Sequence, residues 1–479
     1  MLIPPMKRRS WLKHCGATLF CAALPDSVIA KGFPSDATAR QLRDEADLQR
    51  AVIAYRFWYP TVSAEGIFQA NRSLGLAETG ELPVLAAGPR HRGLTLNSDT
   101  PYCGGPIDLR ASPYVIELPA GPFVGLVNDH HQGWLLDLGL AGPDRGRGGR
   151  HLILPPGYEG DVPSGYFVGR SSTFKVLAAL RALPINGDLS QALKMLQKIK
   201  ISPLLFPEKR IRFVDVSDKP MDCTCLQWED NLAYWEKLHE VIEAEPLLEE
   251  FLPMYGLLSA LGMEKGKSFS PDLRMKGILE KAARAGRDQM LMAAFNSHRP
   301  DRMAWSDRRW EWVGLVPENA RFQTPGGLDL EARDRWFIQA IVTSPAMFRR
   351  KVGQGSLYWL GLRDSTGAFV DGGRTYRLSV PLPVPAALFW SMTIYDAQTR
   401  SEIQTPQDRA AFRSLVELKG QSQVSTIDLY VGPRAPAGQE NQWIQTIPGR
   451  DWFAYFRIYG PLSPAFDGQW KPGDFERMD

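Results

Sequence analysis

The chain has 479 residues, of which 44% are hydrophobic and 23% are charged. This composition excludes an intrinsically disordered protein, and the length allows two or three domains with cores of their own. The net charge of +3 is small for such a length, and the one basic run lies at the N-terminus, so we expect no nucleic-acid partner.

The N-terminus has the features of a bacterial export signal. The basic segment Lys7–Lys13 precedes an apolar run over residues 15–24, and the small-residue exit Val28-Ile29-Ala30 follows. This order is typical of a signal peptide, and the Arg-Arg-x-aromatic-Leu-Lys pattern within it resembles a twin-arginine signal; an ordinary secretory leader is the alternative. We predict that residues 1–30 are removed, that the protein is periplasmic, and that no stable membrane anchor remains.

Three cysteines remain after this cleavage, namely Cys103, Cys223 and Cys225. An odd number leaves at least one thiol unpaired or joined to another chain, so assembly into a homo-oligomer stays open. Cys223 and Cys225 are too close in sequence for an easy mutual disulfide, and no His or Cys follows at the spacing of a zinc site. We predict no metal site, and either a structural role or pairing with Cys103.

The first predicted elements are two helices, one over residues 36–59 and a shorter one from Val62 to Leu74. Apolar residues recur near helical spacing in the first, with charged residues on its other side. The aromatic block before Pro60 is expected to end that helix, and we interpret the block as core packing.

A polar turn follows a short predicted strand at residues 94–96. Asn97 and Ser98 favour hydrogen bonds to their own backbone, and Thr100 before Pro101 is pushed towards an extended conformation. We expect this turn to hold Asn97, Asp99 and Tyr102 at the end of a sheet, where functional sites are common; the alternative is an ordinary turn.

Short strands separated by Pro and Gly turns are predicted from residue 94 to residue 170. Such spacing favours a β-sandwich or a barrel. Residues 173–182 and 188–199 return to a helical pattern, with Asp188 as the N-cap of the second helix. The segment 226–350 is predicted to be mostly helical, with candidate helices at residues 231–245, 246–261, 273–296 and 330–350.

A second strand-rich region covers residues 356–479. In its strand Trp452–Tyr459, alternation places Phe453, Tyr455, Arg457 and Tyr459 on one face and the apolar set with Phe456 on the other. Arg457 between two tyrosines is suited to an anionic or hydroxylated ligand.

Two further clusters have candidate functional side chains. In Asn128-Asp129-His130-His131, strand alternation places Asp129 and His131 on one face, where they could serve acid–base chemistry. The Gly-rich loop at residues 142–149 contains Arg145 and could hold an anion. The alternatives are a satisfied polar cluster at a strand end and a flexible connector.

Several of these segments carry a resemblance to a known family. Leu96–Tyr102, Asp137–Asp144 and Leu154–Tyr158 resemble the domain of unknown function 1254. Phe389–Asp396, Gly438–Gln445 and Arg457–Pro461 resemble its usual partner, the domain of unknown function 1214. The resemblance implies a mainly β protein with a helical middle (α+β), in which helices join two jelly-roll-like β-sandwich domains.

We place these domains at residues 31–225 and 351–479, with a helical connecting region at residues 226–350. The resemblance brings no established activity, so the function is predicted from the residues. We expect a periplasmic hydrolase or lyase that acts on a small polar or carbohydrate-like substrate in an interdomain cleft. The alternative is a non-catalytic ligand-binding or structural protein with the same cleft.

The predicted catalytic side chains are Asp99, Tyr102, Asp129, His131 and Arg457. The predicted ligand contacts are Asn97, Trp134, Asp137, Arg145, Trp390, Tyr395, Trp443 and Tyr459, with the tryptophans stacking on sugar rings. The sequence leaves any cofactor unknown; it contains neither a complete phosphate-binding loop nor a dinucleotide fingerprint.

Overall fold

The computed structural model describes residues 32–77, 80–315, 319–353, 355–420 and 424–478. The predicted signal peptide lies outside these residues. The chain divides into two units, Met1–Asp47 and Leu48–Asp479. The described part of the first unit contains the start of the first helix, and the second unit contains all of the sheets described below. The helices are α1 (Asp36–Ser73), α2 (Leu189–Leu196), α3 (Ala233–Ala244), α4 (Leu252–Ala260), α5 (Leu273–Phe295), α6 (Leu330–Gln339) and α7 (Pro345–Phe348).

Helix α1 is continuous, so the prediction that Pro60 ends a helix was wrong. Proline has no N–H and frees the carbonyl four residues earlier, which is that of Arg56. The Arg333 guanidinium donates to the Arg56 oxygen over 3.1 Å and to the Phe57 oxygen over 2.7 Å. A charged donor from α6 therefore replaces the helical hydrogen bond that Pro60 cannot make, and the helix continues beyond the proline.

Of the twelve N-terminal strands in the described residues, ten form two sheets around one core and the remaining two pair with each other. The strands are β1 (Glu81–Leu85), β2 (His91–Arg92), β3 (Tyr102–Asp108), β4 (Tyr114–Leu118), β5 (Phe123–Asp129), β6 (Trp134–Gly139), β7 (Gly149–Leu154), β8 (Phe167–Arg170), β9 (Lys175–Ala182), β10 (Lys200–Pro203), β11 (Arg212–Asp215) and β12 (Met221–Asp222). A six-stranded sheet has the order β11-β1-β3-β9-β5-β6, and a four-stranded sheet has the order β10-β4-β7-β8. Apolar side chains from both sheets, such as Leu180 and Ile116, meet in this core.

Strand β9 corrects the prediction of a helix over residues 173–182. Its Ala- and Leu-rich sequence favours a helix locally, but both faces of the strand are buried. Ala178 and Leu180 point into the sandwich core, while Leu177 and Ala179 line a cavity on the other side. A strand that is buried on both faces has no polar alternation, so its period gives no signal. The predicted strand at residues 94–96 is likewise absent, and the polar turn precedes β3 directly.

The C-terminal strands form a second sandwich. They are preceded by β13 (Glu311–Trp312), β14 (Gln323–Thr324) and β15 (Gly327–Leu328), and continue as β16 (Ser356–Gly361), β17 (Tyr376–Pro381), β18 (Ala386–Asp396), β19 (Ala411–Arg413), β20 (Thr426–Gly432), β21 (Trp443–Gln445), β22 (Trp452–Pro461) and β23 (Glu476–Arg477). The sheet orders are β13-β16-β22-β18-β19 and β21-β20-β17-β23. The predicted parity of β22 is confirmed, because Trp452, Phe456 and Ile458 lie in the core between these sheets.

Two of the four helices predicted in the middle segment match the structure closely, whereas the one predicted at residues 246–261 is the shorter α4, which follows a 3-10 turn at Glu249–Phe251. The structure has α3 and α5 within two residues of the expected bounds. The predicted helix at residues 330–350 is instead two helices, α6 and α7, because Ser344 before Pro345 is extended with φ −152° and ψ 151°. The structure thus confirms the fold class, two β-sandwiches with a helical middle, while the domain boundaries stay predictions. No helix of the described ranges has the length and apolar character to cross a membrane.

Candidate functional site

A large cavity lies between the two sandwiches. Its volume is about 1070 Å³, slightly above the usual range of small-molecule sites. One wall is the outer face of the six-stranded sheet, which presents Tyr102, Val124 and Arg181. The other wall includes Arg457 and Tyr459 from β22. Side chains alternate between the two faces of each strand, so the neighbours of these residues along the chain, such as Leu180 and Ile458, lie in the sandwich cores.

The polar turn before β3 lies at one end of the cavity. The Asn97 Oδ1 accepts the Asp99 backbone N–H over 3.1 Å, as expected for an Asx turn. The C-terminal domain holds the same turn, because Glu402 accepts the Ser98 N–H over 2.8 Å and Arg413 donates to the Ser98 oxygen over 2.6 Å. Both β-domains therefore fix the position of this turn.

Asp99 lies just behind the cavity wall. Its Oδ2 accepts hydrogen bonds from the Ser391 hydroxyl over 2.7 Å and the Tyr459 hydroxyl over 2.9 Å, and the residue is only 3% exposed. Burial first, and then the Asp99 charge, raise the pKa of Tyr459. The Tyr459 hydroxyl therefore stays protonated and donates a hydrogen bond to the Asp99 carboxylate.

Arg181 joins this network from the opposite sheet. Its Nη2 donates to the Asn97 Oδ1 over 3.1 Å and to the Tyr459 hydroxyl over 3.2 Å, and its Nε donates to Thr100 over 2.7 Å. The guanidinium also lies 4.8 Å from the ring centre of Tyr102. It is thus held rigidly at the cavity wall by neutral groups.

Arg457 is the second guanidinium at this end. Its Nη1 donates to Thr393 over 3.0 Å, and its Nη2 donates to the Tyr395 hydroxyl over 2.7 Å and the Thr95 oxygen over 3.2 Å. Burial alone lowers the pKa of Arg457, but the neighbouring oxygens of Tyr395, Tyr459 and Asp99 raise it by more. Arg457 therefore stays charged although it is buried.

The two guanidiniums lack direct anionic partners. Within the part of the chain that the structure describes, no carboxylate oxygen lies within 4.0 Å of a nitrogen of Arg181 or Arg457. Burial raises the pKa of Glu402, the other carboxyl group beside the turn, to about 7, so it is largely uncharged below neutrality. Buried charges are normally paired, and the charge at this end is not fully balanced.

The whole cavity is positively charged. Among the described residues that line it, the charged side chains are Arg145, Arg181, Arg349, Arg457 and Asp137. Apolar side chains such as Leu126 and Leu183 form much of the remaining wall. Gly104 also lines the cavity, and a side chain is excluded there because an added Cβ would lie 2.3 Å from the Ala178 oxygen of the neighbouring strand. An apolar cavity with four guanidiniums and one carboxyl group is suited to an organic anion.

Asp137 is the carboxyl group of this lining. It lies on the cavity face of β6 and is 5% exposed. Burial raises its pKa to about 6, although the neighbouring side chains of Ser344 and Trp134 and the charge of Arg349 act in the opposite direction. Perturbed carboxyl groups in clefts are common in acid–base catalysis.

The structure places the other predicted catalytic pair outside the cavity lining. Asp129 accepts hydrogen bonds from Ser172 over 2.5 Å and the Gly133 N–H over 2.7 Å. His131 shares a 3.0 Å hydrogen bond with Thr61, and burial together with the charge of His130 lowers its pKa to about 3. Both side chains are internal parts of the fold, because their strand end packs against α1.

Most of the predicted ligand contacts divide between the cavity and the cores. Asn97, Asp137, Arg145 and Tyr459 line the cavity, with Arg145 exposed at its edge. Tyr395 lies beside Arg457 on the same face of the C-terminal sheet, outside the cavity lining. The three predicted tryptophans lie outside the cavity lining. Trp390 stacks on Phe456 in the C-terminal core with ring centres 5.3 Å apart, Trp443 donates to the Gly432 oxygen, and Trp134 packs against the helical core.

The cysteines and possible metal ligands form no further site in the described ranges. Cys103, Cys223 and Cys225 are free there, and Cys225 donates to the Tyr59 hydroxyl over 3.3 Å. No group of three or more metal-ligating side chains was found among the described residues.

Sequence reasoning missed Arg181 and Arg349. A signal for Arg181 was present, because it is the one charged residue within the apolar stretch Val176–Ala182. A charge in a strand that is otherwise buried indicates a function or a buried partner. Arg349 lies in an irregular segment after α7, and no periodic pattern marks it.

The fold and the cavity define a class of protein: two β-sandwiches whose outer sheet faces enclose one large, arginine-lined cavity. Residues 82–203 match the model of the family described as protein of unknown function (DUF1254). Residues 355–463 match the model of the family described as protein of unknown function (DUF1214). The predicted resemblance, with these two segments in this order, is therefore confirmed.

The chain is similar to solved structures, and the first of those described here shares its fold. The crystal structure of the VPA0106 protein from Vibrio parahaemolyticus has a TM-score of 0.55 and 16% sequence identity, and the match covers 90% of this chain and 100% of that chain. An uncharacterized protein from Burkholderia cenocepacia matches with a TM-score of 0.41 and 12% identity over 94% and 92% of the two chains. No curated protein matches the chain significantly.

Proposed function

We propose that the cavity binds a small organic anion with an apolar body, and that the protein acts on it as a hydrolase or lyase in the periplasm. One observation carries this proposal: Arg181 and Arg457 meet at one end of an otherwise largely apolar cavity, and no carboxylate lies within 4.0 Å of either among the described residues. A ligand oxyanion would supply the missing charge, and guanidiniums bind carboxylates and phosphates in bidentate geometry.

The support for catalysis comes from Asp137. A cavity carboxyl group with a pKa of about 6 exists in both protonation states near neutrality, as an acid–base group requires. A carbohydrate-like substrate has less support, because the three tryptophans expected to stack on sugar rings lie outside the cavity lining.

A non-catalytic binding protein is the second candidate. It is favoured by the positions of Asp129 and His131, which were expected to supply acid–base groups and instead lie within the fold, away from the lining. Both candidates require the same anion site at Arg181.

The proposal can be tested by mass spectrometry of the protein, under native and denaturing conditions, after purification from a periplasmic extract. We expect a denatured chain that begins at Lys31 and a native mass that is greater by one small acidic molecule. Arg181→Gln should lose that molecule, whereas Arg434→Gln, a change at an exposed arginine, should keep it. A full-length chain confined to the cytoplasm would contradict export. A retained molecule that is uncharged, or that Arg181→Gln holds equally well, would contradict the anion site.

A further inference from the structure

Asp137 and Arg181 lie on the same outward face of the same sheet. In the register of β6, β5 and β9, Asp137 pairs with Leu126, which pairs with Ala179. Arg181 follows two residues along the same strand as Ala179, so its side chain points to the same side as that of Asp137. Both side chains line the cavity.

The register also gives the distance between these two groups. They are two strands apart and two residues apart along the strand direction, so their Cα atoms are about 12 Å apart for ordinary strand spacing and rise. Val124 and Leu126 of β5 lie between them on the same face. A ligand that spans the two groups therefore crosses an apolar strip.

Asp137 is available to a ligand because the fold leaves it without a close cation. In the described part of the chain, no nitrogen of Lys, Arg or His lies within 4.0 Å of its carboxyl oxygens. The charged side chains that share the cavity with it are Arg145, Arg181, Arg349 and Arg457. Since all four of these lining charges are guanidiniums, the cavity disfavours a cationic ligand group, and an uncharged hydroxyl group is suited to Asp137.

We propose that Asp137 forms a second subsite, which binds a hydroxyl group of a ligand whose anionic head lies at Arg181 and Arg457. The ligand class is then a hydroxylated organic acid, with an apolar spacer between its two polar ends. This inference rests on the proposed anion site and specifies its substrate class. With its pKa at about 6, Asp137 is mainly a carboxylate at about neutral pH and accepts the hydrogen bond from the hydroxyl group.

The test compares ω-hydroxy acids with the unsubstituted acids of the same length by calorimetry at about neutral pH. The probes are 6-hydroxyhexanoate, 8-hydroxyoctanoate and 10-hydroxydecanoate against hexanoate, octanoate and decanoate. A hydrogen bond to a charged group predicts that one hydroxy acid, of the length that fits, binds about tenfold more tightly than its parent acid. Asp137→Ala should remove this preference, so that the hydroxy acid and its parent acid bind this variant with similar affinity.

Two further variants keep the result interpretable. Asp218→Ala, at an exposed aspartate, should leave the preference unchanged, and the nearly isosteric Asp137→Asn should reduce it if the alanine variant fails to fold. Equal binding of hydroxy and parent acids at every length would overturn the second subsite, as would a preference that survives both Asp137 changes. Failure of all the parent acids to bind would instead overturn the proposed anion site itself.

Discussion

Replacing Phe456 with alanine is expected to lower the free energy of unfolding of the C-terminal sandwich by about 3–5 kcal/mol. Phe456 is fully buried on the core face of β22. Its ring stacks on Trp390 at 5.3 Å, and it also contacts Trp310, Trp359 and Trp470 at ring distances of 5.7 to 6.1 Å. These large rings cannot close the space that the substitution leaves, so both transfer energy and packing are lost.

Urea unfolding of the two proteins measures this loss. Phe369→Ala is the matched control, because Phe369 is in the same sandwich but is 46% exposed, and it should cost less than about 1 kcal/mol. If Phe456→Ala cost no more than this control, the assignment of the two faces of β22 would be wrong, and so would the assignment of Arg457 to the cavity.

Replacing His130 with alanine is expected to cost a similar amount, about 3–5 kcal/mol near pH 6. His130 Nε2 lies 3.0 Å from Glu65 Oε1, and its Nδ1 lies 3.1 Å from Glu245 Oε1. All three side chains are buried. The alanine variant would remove the cation between these two buried carboxylates. Glu65 would keep its 3.2 Å contact with Arg72, whereas Glu245 would lose its cationic partner, which is the costly way to break a buried ionic group.

The pH dependence of this effect has a defined sign. Burial lowers the pKa of His130, but its hydrogen bonds to Glu245 and Glu65 raise it by more, to a value above 6.5. The contribution of His130 is therefore complete below pH 6.5 and is lost as the pH rises through the folded-state pKa. Burial raises the pKa of Glu65, but His130 lowers it to about 2, so its contribution is present above pH 4.5 and is lost as the pH falls towards 2.

Unfolding experiments across this range measure the difference between the wild type and the variant. The difference should be largest between about pH 4.5 and pH 6.5 and should shrink on either side. His298→Ala, at an exposed histidine, should change stability by less than about 0.5 kcal/mol. A His130→Ala effect that is small, or that stays constant with pH, would contradict the ionic account of this cluster.

The sequence predicted those parts of the fold where local pattern and final environment agree. Strand β22 alternates between two buried faces of different chemistry, and its period of two placed Phe456 and Arg457 correctly. Helix α5 has helical spacing of small and apolar residues and an Asp272 N-cap. Strand β9 was missed because both of its faces are apolar, so its Ala- and Leu-rich sequence indicated a helix.

The site was predicted in part for a similar reason. Turn chemistry identified Asn97 and Asp99, and the tyrosine–arginine alternation identified Arg457 and Tyr459. That these residues meet depends on contacts between positions about 360 residues apart, such as Tyr459 with Asp99, which no local pattern specifies. The Asp129 and His131 prediction followed from residue types alone, and these types occur equally well in a buried polar cluster.

The central claim is that the cavity selects an anion through Arg181, and calorimetry with octanoate and octanamide tests it most directly. These probes share an apolar chain and differ in charge. We expect the wild type and Arg434→Gln to bind octanoate at least about tenfold more tightly than octanamide, and Arg181→Gln to bind the two with similar affinity. Equal affinities in the wild type, or a preference for octanoate that Arg181→Gln retains in full, would contradict the claim.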